Sequence, residues 1–597
     1  MTRTSQFRNQ VGVFGQSTKR RWLAALAAML TAAVLGVVLP AGAQPNATAA
    51  EVIIAHGKVY TVNHAQPWAE AVAVRDGKIL AVGSNDDILR LRGKSTRVVD
   101  AKGHLVLPGF GDAHVHFMEG SLTLLGVKLD DAKTIPVIQK RVKEYAAAHP
   151  GDGWIEGMGW QYDAFGVEAL PDKRYLDEVV PDRPVFLTCY DGHTTWANSK
   201  ALQMAGIDRS TPDPPNGTIV RDAQGNPTGA LKEAASELVS NVIPKPTREV
   251  RMKALQAGLL EARSQGVTRI HSAGGDFEYF DLFDELLNNG QLTARYYISY
   301  FLDPPGLTPE IRNSLDKARA SYHDDWLAAG VVKTMLDGVV ESHTAAMLTP
   351  YADNPAIKGK LFWEPEQYQA TVTELDKNGY QIFTHAIGDG AVRLALDSYE
   401  TMSKTNGSHD SRPRIEHIET ITAQDIPRFG SLGVIPSMQP LHAYPDSDTL
   451  TVWLKNAGTQ REPRAFPWSS IAQGGGRLAF GSDWPVVTIS PWPGVQTAVT
   501  RQTSDGKPAG GFVPAQRVTL DQTIEAYTMG VAYAGKREKT EGSIEPGKLA
   551  DMIIVNQDLF AIDPHQIDQT KVMMTMVGGK VVYESDEWKT PVATVSK

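Results

Sequence analysis

Cysteine is almost absent from this sequence: Cys189 is the single one in 597 residues. One cysteine cannot form a disulfide within the chain, so the fold has to be stabilised by its packed core alone. The sequence also lacks internal repeats and low-complexity tracts beyond its first residues, which argues against a repeat architecture. With 42% hydrophobic and 21% charged residues, the composition is that of a globular protein with enough length for a large core.

Acidic residues outnumber basic ones outside the N-terminus. The formal net charge is −9, and residues 1–43 contain five basic and no acidic residues, so removing them takes the charge to −14. A chain this acidic is a poor ligand for nucleic acid or for anionic lipid. We therefore expect no nucleic-acid partner.

The N-terminus has the order of a secretory signal peptide. Two adjacent arginines, Arg20 and Arg21, precede an apolar run over residues 22–40, and small residues follow it. We predict that residues 1–43 are removed by cleavage after Ala43, which gives a periplasmic or secreted protein without stable membrane insertion. A membrane anchor is the alternative, because the run approaches the length that spans a bilayer. The arginine pair leaves both general secretion and the twin-arginine route open.

Short strands separated by turn residues occur near both chain ends. This strand-and-turn pattern is found in residues 51–60, 71–74 and 78–82, and again in residues 550–556 and 572–583. We interpret the two flanks, residues 50–104 and 541–590, as halves of one small β-sandwich domain. Two unrelated caps are the alternative.

Between these flanks, strand patterns alternate with helical patterns, which is typical of an α/β fold with a parallel sheet or barrel. Eight candidate strands can be read from the sequence: residues 105–110, 267–271, 295–301, 331–336, 381–385, 414–417, 433–438 and 477–482. Eight such units predict a (β/α)8 barrel over residues 105–540. The long gap after the first strand, residues 117–266, contains a strand pattern of its own at 185–189 and a helical pattern at 247–265. We interpret it as a large insertion at the barrel mouth.

Residues that can bind a metal ion follow several of these strands. His114 and His116 are two positions apart, so an extended chain points both imidazoles to one side. The further candidates are Lys333, His385, His417 and Asp483, in or at the ends of the fourth, fifth, sixth and eighth strands. The carboxyl ends of barrel strands form the active-site face. A single histidine in an apolar strand is usually a core residue, but four histidines and an aspartate at strand ends indicate a metal site.

The same residues resemble the amidohydrolase superfamily, and longer motifs resemble its amidohydrolase family 3 branch, which includes N-substituted formamide deformylases. These motifs are VLPGFGDAHVHF, DGHTTWANSKAL, RIEHIE, AFGSDWPV and EGSIEPGKLADMIIV, and the similarity spans about residues 50–585. The resemblance implies two metal positions, the first held by His114, His116 and Asp483. His385 and His417 would hold the second, and Lys333, carboxylated on its amine, would bridge the two. Related enzymes with one metal exist, so one or two ions are expected.

The ligand types themselves indicate the chemistry. Imidazoles and a carboxylate suit Zn²⁺, while Fe, Co or Mn remain open because their ligand preferences overlap. A metal there would lower the pKa of bound water to about 7 and polarise a scissile carbonyl. Asp483 is the candidate general base and then general acid. His193, within the second motif, is a candidate for binding substrate or stabilising an oxyanion, with a structural loop histidine as the alternative.

Other residues carry weaker signals. Trp160, His343 and His442 are either pocket-lining or structural. His271, in the second strand, is expected in the core. Asp337 follows Lys333 and is interpreted as a turn residue whose carboxylate lies close behind the site.

We expect an exported metal-dependent hydrolase that cleaves an amide-type carbon–nitrogen bond, in an N-formyl, N-acyl or cyclic amide other than a peptide. Hydrolysis of a lactone, ester, carbamate or phosphotriester on the same scaffold is the first alternative, since the same nucleophile attacks those groups. Ring deamination is less favoured, because deaminases of this superfamily usually lack the bridging lysine. A non-catalytic ligand-binding or regulatory protein is the remaining alternative. The partner is then a small amide-type molecule, and homo-oligomer formation stays open.

Overall fold

The computed structural model describes residues 49–166, 170–190, 192, 194–215 and 217–589. The predicted signal peptide, residues 1–43, and His193 lie outside these residues. Within the described ranges, every helix is too short or too polar to span a lipid bilayer.

A parallel eight-stranded sheet forms the centre of the described chain, and its strands neighbour one another in chain order. They are, from barrel strand 1 to barrel strand 8, Phe110–Val115, Val267–Ser272, Arg295–Phe301, Leu327–Met335, Gln381–Ala386, Arg414–His417, Ile435–Met438 and Ala479–Phe480. The backbone N–H of Asp483 donates to the carbonyl of His114 at 2.7 Å, and that of His116 donates to Trp484 at 2.9 Å. These two bonds join the chain after barrel strand 8 to barrel strand 1, so the sheet curls into a barrel.

Helices follow most barrel strands and cover the outside of the sheet. The α-helices of the described residues are Asn85–Leu89, Phe117–Thr123, Ile135–Ala148, Arg174–Asp177, Ser199–Met204, Glu237–Ser240, Arg248–Ser264, Phe280–Asn288, Pro309–Ser321, Pro365–Lys377, Asp389–Asn406, Ile426–Leu432, Leu454–Ala457, Trp468–Gln473, Pro491–Thr500, Leu520–Tyr527, Met529–Ala534 and Asp586–Lys589. Several begin at a side-chain cap; Thr308 and Thr519, for example, accept the first free backbone N–H groups of their helices.

Two further sheets lie near the chain ends, the first built from N-terminal strands and the second from strands of both ends. One has the strand order Lys78–Gly83, Ala71–Arg75, Ala50–Ala55 and Arg92–Asp100. The other has the order Lys580–Glu584, Val572–Val577, Met552–Val555, Leu105–Pro108, Lys58–Tyr60 and Trp68–Ala69. Side chains of both sheets, among them Ile54, Val74, Val106, Ile554 and Met574, share one hydrophobic core. The predicted fold class, an α/β barrel with a β-sandwich formed by both ends, is confirmed; the exact domain limits stay a prediction.

The region between barrel strands 1 and 2 contains a sheet of its own. Its strand order is Gly217–Arg221, Pro227–Glu233, Thr194–Ala197, Val185–Cys189, Ile155–Trp160 and Val127–Lys128. The expected strand at 185–189 and the helix Arg248–Ser264 are both present. This inserted sheet has its own core, in which the fully buried rings of Trp160 and Trp196 are 6.3 Å apart.

The predicted first barrel strand, residues 105–110, has to be corrected. Leu105–Pro108 belongs to a sandwich sheet, where it pairs with Met552–Val555, and barrel strand 1 starts only at Phe110. The change occurs at Gly109, whose missing side chain leaves room for Thr268; an added Cβ would lie 2.3 Å from the Thr268 hydroxyl. Both segments are apolar and extended, so the sequence pattern does not reveal that their pairing partners differ.

Candidate active site

All six residues predicted as metal ligands lie at the mouth of the barrel, at the carboxyl ends of its strands. His114 is in barrel strand 1 and His116 directly follows it, Lys333 is in barrel strand 4, His385 in barrel strand 5, His417 at the end of barrel strand 6, and Asp483 after barrel strand 8. Parallel strands of a barrel end at one face, which brings residues far apart in the chain to one point.

Four of the six residues are in direct contact. The Nε2 atom of His114 lies 3.2 Å from Lys333 Nζ and 3.3 Å from Asp483 Oδ1. His116 Nε2 is 3.2 Å from the same carboxylate oxygen. Asp483 thus faces both imidazoles of the His-x-His motif, as the spacing of that motif predicts.

The other two histidines complete the cluster. The His417 ring centroid is 4.7 Å from that of His114 and 4.5 Å from that of His385. His114, His417 and Asp483 each present one possible ligand atom within 4.8 Å of the other two. The structure therefore brings all six residues together, while their role as metal ligands stays a prediction.

Unusual backbone conformations point two of these side chains into the site. His417 has φ of +74° and Asp483 has φ of +65°, values that residues other than glycine rarely adopt. At the end of barrel strand 6, Glu416 and His417 are neighbours that would face opposite sides of a regular strand. The left-handed turn at His417 instead lets both contribute to one region. Such strain concentrates at functional sites.

Hydrogen bonds determine which ring nitrogen of three histidines remains free. Each partner is an oxygen that can only accept, so the facing ring nitrogen must be the donor. His114 Nδ1 donates to Glu416 Oε2 at 2.6 Å, His417 Nδ1 donates to Gln439 Oε1 at 2.8 Å, and His385 Nε2 donates to the Gly338 carbonyl at 3.2 Å. In each ring the opposite nitrogen keeps its lone pair, which is the form that binds a metal ion.

The arrangement around Asp483 fits a cation. The lone pair on His114 Nε2, which also lies 3.2 Å from Lys333 Nζ, and the carboxylate oxygen Oδ1 of Asp483 face each other at 3.3 Å, and both are acceptors. Among the described residues, no donor bonds to this buried Oδ1 atom in hydrogen-bonding geometry. Buried acceptors that face one another are costly unless a cation lies between them. The residues present therefore fit a divalent ion, and His114, His116, His417 and Asp483 are placed to hold it.

Burial keeps His114 and His385 neutral, whereas at His116 burial opposes protonation but the adjacent Asp483 carboxylate outweighs it and raises the pKa of that imidazole. Burial lowers the pKa of His114 to about 4 and that of His385 to about 3, and the nearby Lys333 charge lowers both further. For Asp483, burial opposes ionisation, but His114 and His116 outweigh it and hold the pKa of the carboxyl well below its usual range. Near neutral pH, His114 and His385 offer neutral nitrogens and Asp483 an anionic oxygen, which are the protonation states that metal binding needs.

Asp337 organises the loops beside the site. Its carboxylate accepts backbone N–H groups of Ala346, Ile387 and Gly388 at 2.8–3.1 Å, and lies 3.6 Å from His385 Nε2. It therefore ties the loop after barrel strand 4 to the loop after barrel strand 5. This is the position behind the site that its place after Lys333 predicts.

His442, which the sequence left as either pocket-lining or structural, lies beside the ligand cluster. Its ring stacks parallel to that of His417, with centroids 5.9 Å apart, and its Nε2 atom is 3.7 Å from Asp483 Oδ2. It belongs to the short helical turn Pro440–Ala443 that follows barrel strand 7. His343, in contrast, is held by Asp353 at 3.0 Å in the loop after barrel strand 4.

Sequence reasoning missed the residues that hold the ligands. Arg414 and Glu416 are two charged residues in a four-residue strand, and both are completely buried. Charges at alternate positions of a core strand are unusual enough to have indicated a buried ion pair. Gln439, which holds His417, had no comparable signal, because its role depends on where barrel strand 7 lies.

Comparisons with known proteins agree with this architecture. The family model described as the amidohydrolase family matches residues 97–583. Protein LONG AFTER FAR-RED 3 of Arabidopsis thaliana is 33% identical over 549 residues, which cover 90% of this chain and 92% of that protein. N-substituted formamide deformylase of Arthrobacter pascens is 26% identical over 544 residues, covering 89% and 98%.

Among solved structures, an uncharacterised metal-dependent hydrolase from Pyrococcus horikoshii OT3 is similar, with a TM-score of 0.68 at 25% identity. The match covers 86% of this chain and 99% of that one. The family model extends over most of the chain, including all eight barrel strands and the six clustered residues. This chain belongs to the amidohydrolase family.

Proposed function

We propose that this protein hydrolyses the carbon–nitrogen bond of a small amide-type molecule with the help of a bound divalent metal. The observation that carries the proposal is the pair of facing acceptors, His114 Nε2 and Asp483 Oδ1, within a cluster of buried histidines. The likeness to an N-substituted formamide deformylase supports N-formyl and N-acyl amines as the first substrates to consider.

A metal ion bound by these residues, Zn²⁺ by ligand type, would activate water and polarise the scissile carbonyl. Asp483 supplies the proton handling. Its Oδ1 faces His114 and His116, while its Oδ2 lies 3.7–3.8 Å from His442 and His417. One carboxylate can therefore accept the proton of the attacking water and deliver it to the leaving nitrogen, which an amide requires before it departs.

Lys333 is proposed to carry a carboxyl group on its amine. An ammonium group has three donors and no lone pair, so it is repelled by a dication. Burial lowers the pKa of Lys333 to about 8, which increases the fraction of neutral amine. The neutral amine can attack CO₂, forming an N–C bond and releasing one proton. The resulting carbamate has two oxygens and a negative charge, so it can bind one metal ion or be shared by two.

Export is part of the proposal and is supported by residues 1–43 alone. The basic stretch, the apolar run and the small residues before Gln44 have the order of a cleaved leader. The substrate would then be met in the periplasm or outside the cell.

The test combines metal analysis with a substrate screen on the mature protein, residues 44–597. We expect one or two equivalents of divalent metal, and turnover of N-substituted formamides, N-acyl amines or cyclic amides. Turnover limited to lactones, carbamates or phosphotriesters would favour the first alternative. Stoichiometric metal with no turnover, combined with tight binding of a small molecule, would favour a non-catalytic ligand-binding protein.

A further inference from the structure

A buried ion pair lies inside the barrel directly behind the metal-ligand candidates. Arg414 and Glu416 are both fully buried, and two parallel hydrogen bonds join them, Nε to Oε1 at 2.8 Å and Nη2 to Oε2 at 2.9 Å. They are two positions apart in barrel strand 6, so both side chains extend to the barrel interior. A charge pair in this location needs an explanation, because the free energy that it costs to remove two ions from water is about as large as the gain from their attraction.

The carboxylate of this pair also holds His114. Glu416 Oε2 accepts from His114 Nδ1 at 2.6 Å while it accepts from Arg414. A carboxylate has no proton to give, so the His114 proton is on Nδ1. The lone pair is consequently on Nε2, the atom that faces Lys333 Nζ at 3.2 Å and Asp483 Oδ1 at 3.3 Å.

Arg414 in turn is anchored across the barrel, so the carboxylate cannot rotate away. Its Nη2 atom donates to the Ala113 carbonyl at 2.5 Å and to Ser437 Oγ at 2.8 Å. Its Nη1 atom donates to His271 Nδ1 at 3.0 Å, and its guanidinium stacks on Phe383. These four residues belong to barrel strands 1, 2, 5 and 7, which leaves the guanidinium one orientation.

We propose that Glu416 is a positioning residue that fixes the tautomer and ring orientation of His114, and that Arg414 and His271 hold Glu416 in place. This inference rests on the proposed metal-dependent function. Replacing a buried ion pair with apolar side chains of similar volume is often neutral or stabilising in proteins, so stability alone does not account for this pair. The ion pair instead gives His114 an acceptor with one fixed direction, and the carboxylate raises the basicity of Nε2, as acceptors behind ligating histidines do.

The experiment compares two Glu→Gln variants. Glu416→Gln keeps the side-chain shape, but its amide group offers one acceptor to three donors, from His114 and Arg414, so it loses at least one bond. Glu541→Gln is the matched control, because Glu541 also forms a buried two-bond pair, with Arg269 of barrel strand 2, and contacts no ligand candidate.

Zn²⁺ affinity is measured by competition with a chelator, and the visible absorption of the Co²⁺-loaded protein reports the ligand geometry. We expect Glu416→Gln to weaken Zn²⁺ binding about 10–100-fold and to change the Co²⁺ spectrum. Glu541→Gln is expected to lower the melting temperature and leave affinity and spectrum at wild-type values.

Equal losses of affinity in the two variants would overturn the proposal, because they would trace the effect to general stability. Wild-type affinity and spectrum in Glu416→Gln would overturn it too, while leaving the metal site itself intact. If that variant does not fold, the double variant Arg414→Met/Glu416→Gln removes both charges and takes its place under the same criteria. A wild-type protein that binds no metal would overturn both this inference and the proposed function. The outcomes described above for Glu416→Gln would overturn only the inference.

Discussion

Asp483 carries two proposed tasks, holding a metal ion and moving a proton. Replacing it in Asp483→Asn keeps the shape of the side chain but removes the charge and the ability to accept a proton. We expect kcat to fall by about 10²–10⁴-fold, the range of positioned acid–base catalysis, with the fold preserved. The measurement is kcat together with a thermal melt.

Asp376→Asn is the control for this substitution. Asp376 is also buried, but it lies on the outer helix Pro365–Lys377, where it binds Asn406. The kcat of Asp376→Asn should stay at the wild-type value. Activity of Asp483→Asn within about tenfold of wild type would mean that another group handles the proton.

Substitution of Lys333 tests the proposal that this lysine is carboxylated. We expect Lys333→Ala to lose both metal affinity and activity. The loss should exceed the factor of about 10–100 that follows from removing a hydrogen-bond partner behind a metal ligand. Added acetate or propionate should restore part of the metal binding, because a free carboxylate can occupy the place of the carbamate. Metal analysis with and without the added acid gives the result.

A second buried lysine serves for comparison. Lys548 is 8% exposed and donates to Ser543 Oγ at 2.6 Å, away from the ligand cluster. Lys548→Ala should keep its metal and show no response to short carboxylates. Full metal content and wild-type turnover in Lys333→Ala would contradict the proposed role of the lysine.

At the scale of elements, the site depends on the seam where barrel strand 8 meets barrel strand 1. Gly481 lies in this seam, and a Cβ there would be 2.6 Å from both the Asp112 carboxylate and the His114 backbone nitrogen. We expect Gly481→Ala to force the strands apart, to cost about 1–3 kcal/mol of stability, and to reduce metal binding because His114 and Asp483 separate.

Chemical denaturation and chelator competition measure these two effects. Gly153→Ala is the control, since no atom lies within 4 Å of a Cβ added there. Unchanged metal affinity in Gly481→Ala would show that the seam tolerates the displacement.

Element boundaries also show where local pattern is sufficient. The predicted strand at 295–301 coincides with barrel strand 3, because an apolar run bounded by turns or by helical patterns marks both ends. The predicted strand at 414–417 coincides with barrel strand 6 although only Ile415 in it is apolar. The first barrel strand was placed about five residues early, since the same extended pattern continues through Gly109 while its pairing partner changes. Pairing across hundreds of residues leaves no mark in a short window of sequence.

For the whole molecule, the export proposal predicts a mature chain that starts at Gln44. N-terminal sequencing of protein from the periplasmic fraction should find this residue, because small side chains precede it at the two positions that signal peptidase reads. Replacing Ala43 with Phe should block cleavage and leave the leader attached. A protein that keeps its leader in the membrane fraction would show that residues 1–43 act as an anchor.

The class of barrel and the six residues at its mouth could be predicted from the sequence alone. Those residues are readable because strand ends, His-x-His spacing and ligand chemistry are local properties, visible within a few positions of His114 or Asp483. The residues that hold these six side chains in place can be identified only in the folded protein. Glu416 faces His114 from 302 positions away, and Arg414 reaches His271 from 143 away. Such contacts arise from the closure of the barrel, which places strands distant in sequence side by side and surrounds each buried charge with partners from several of them.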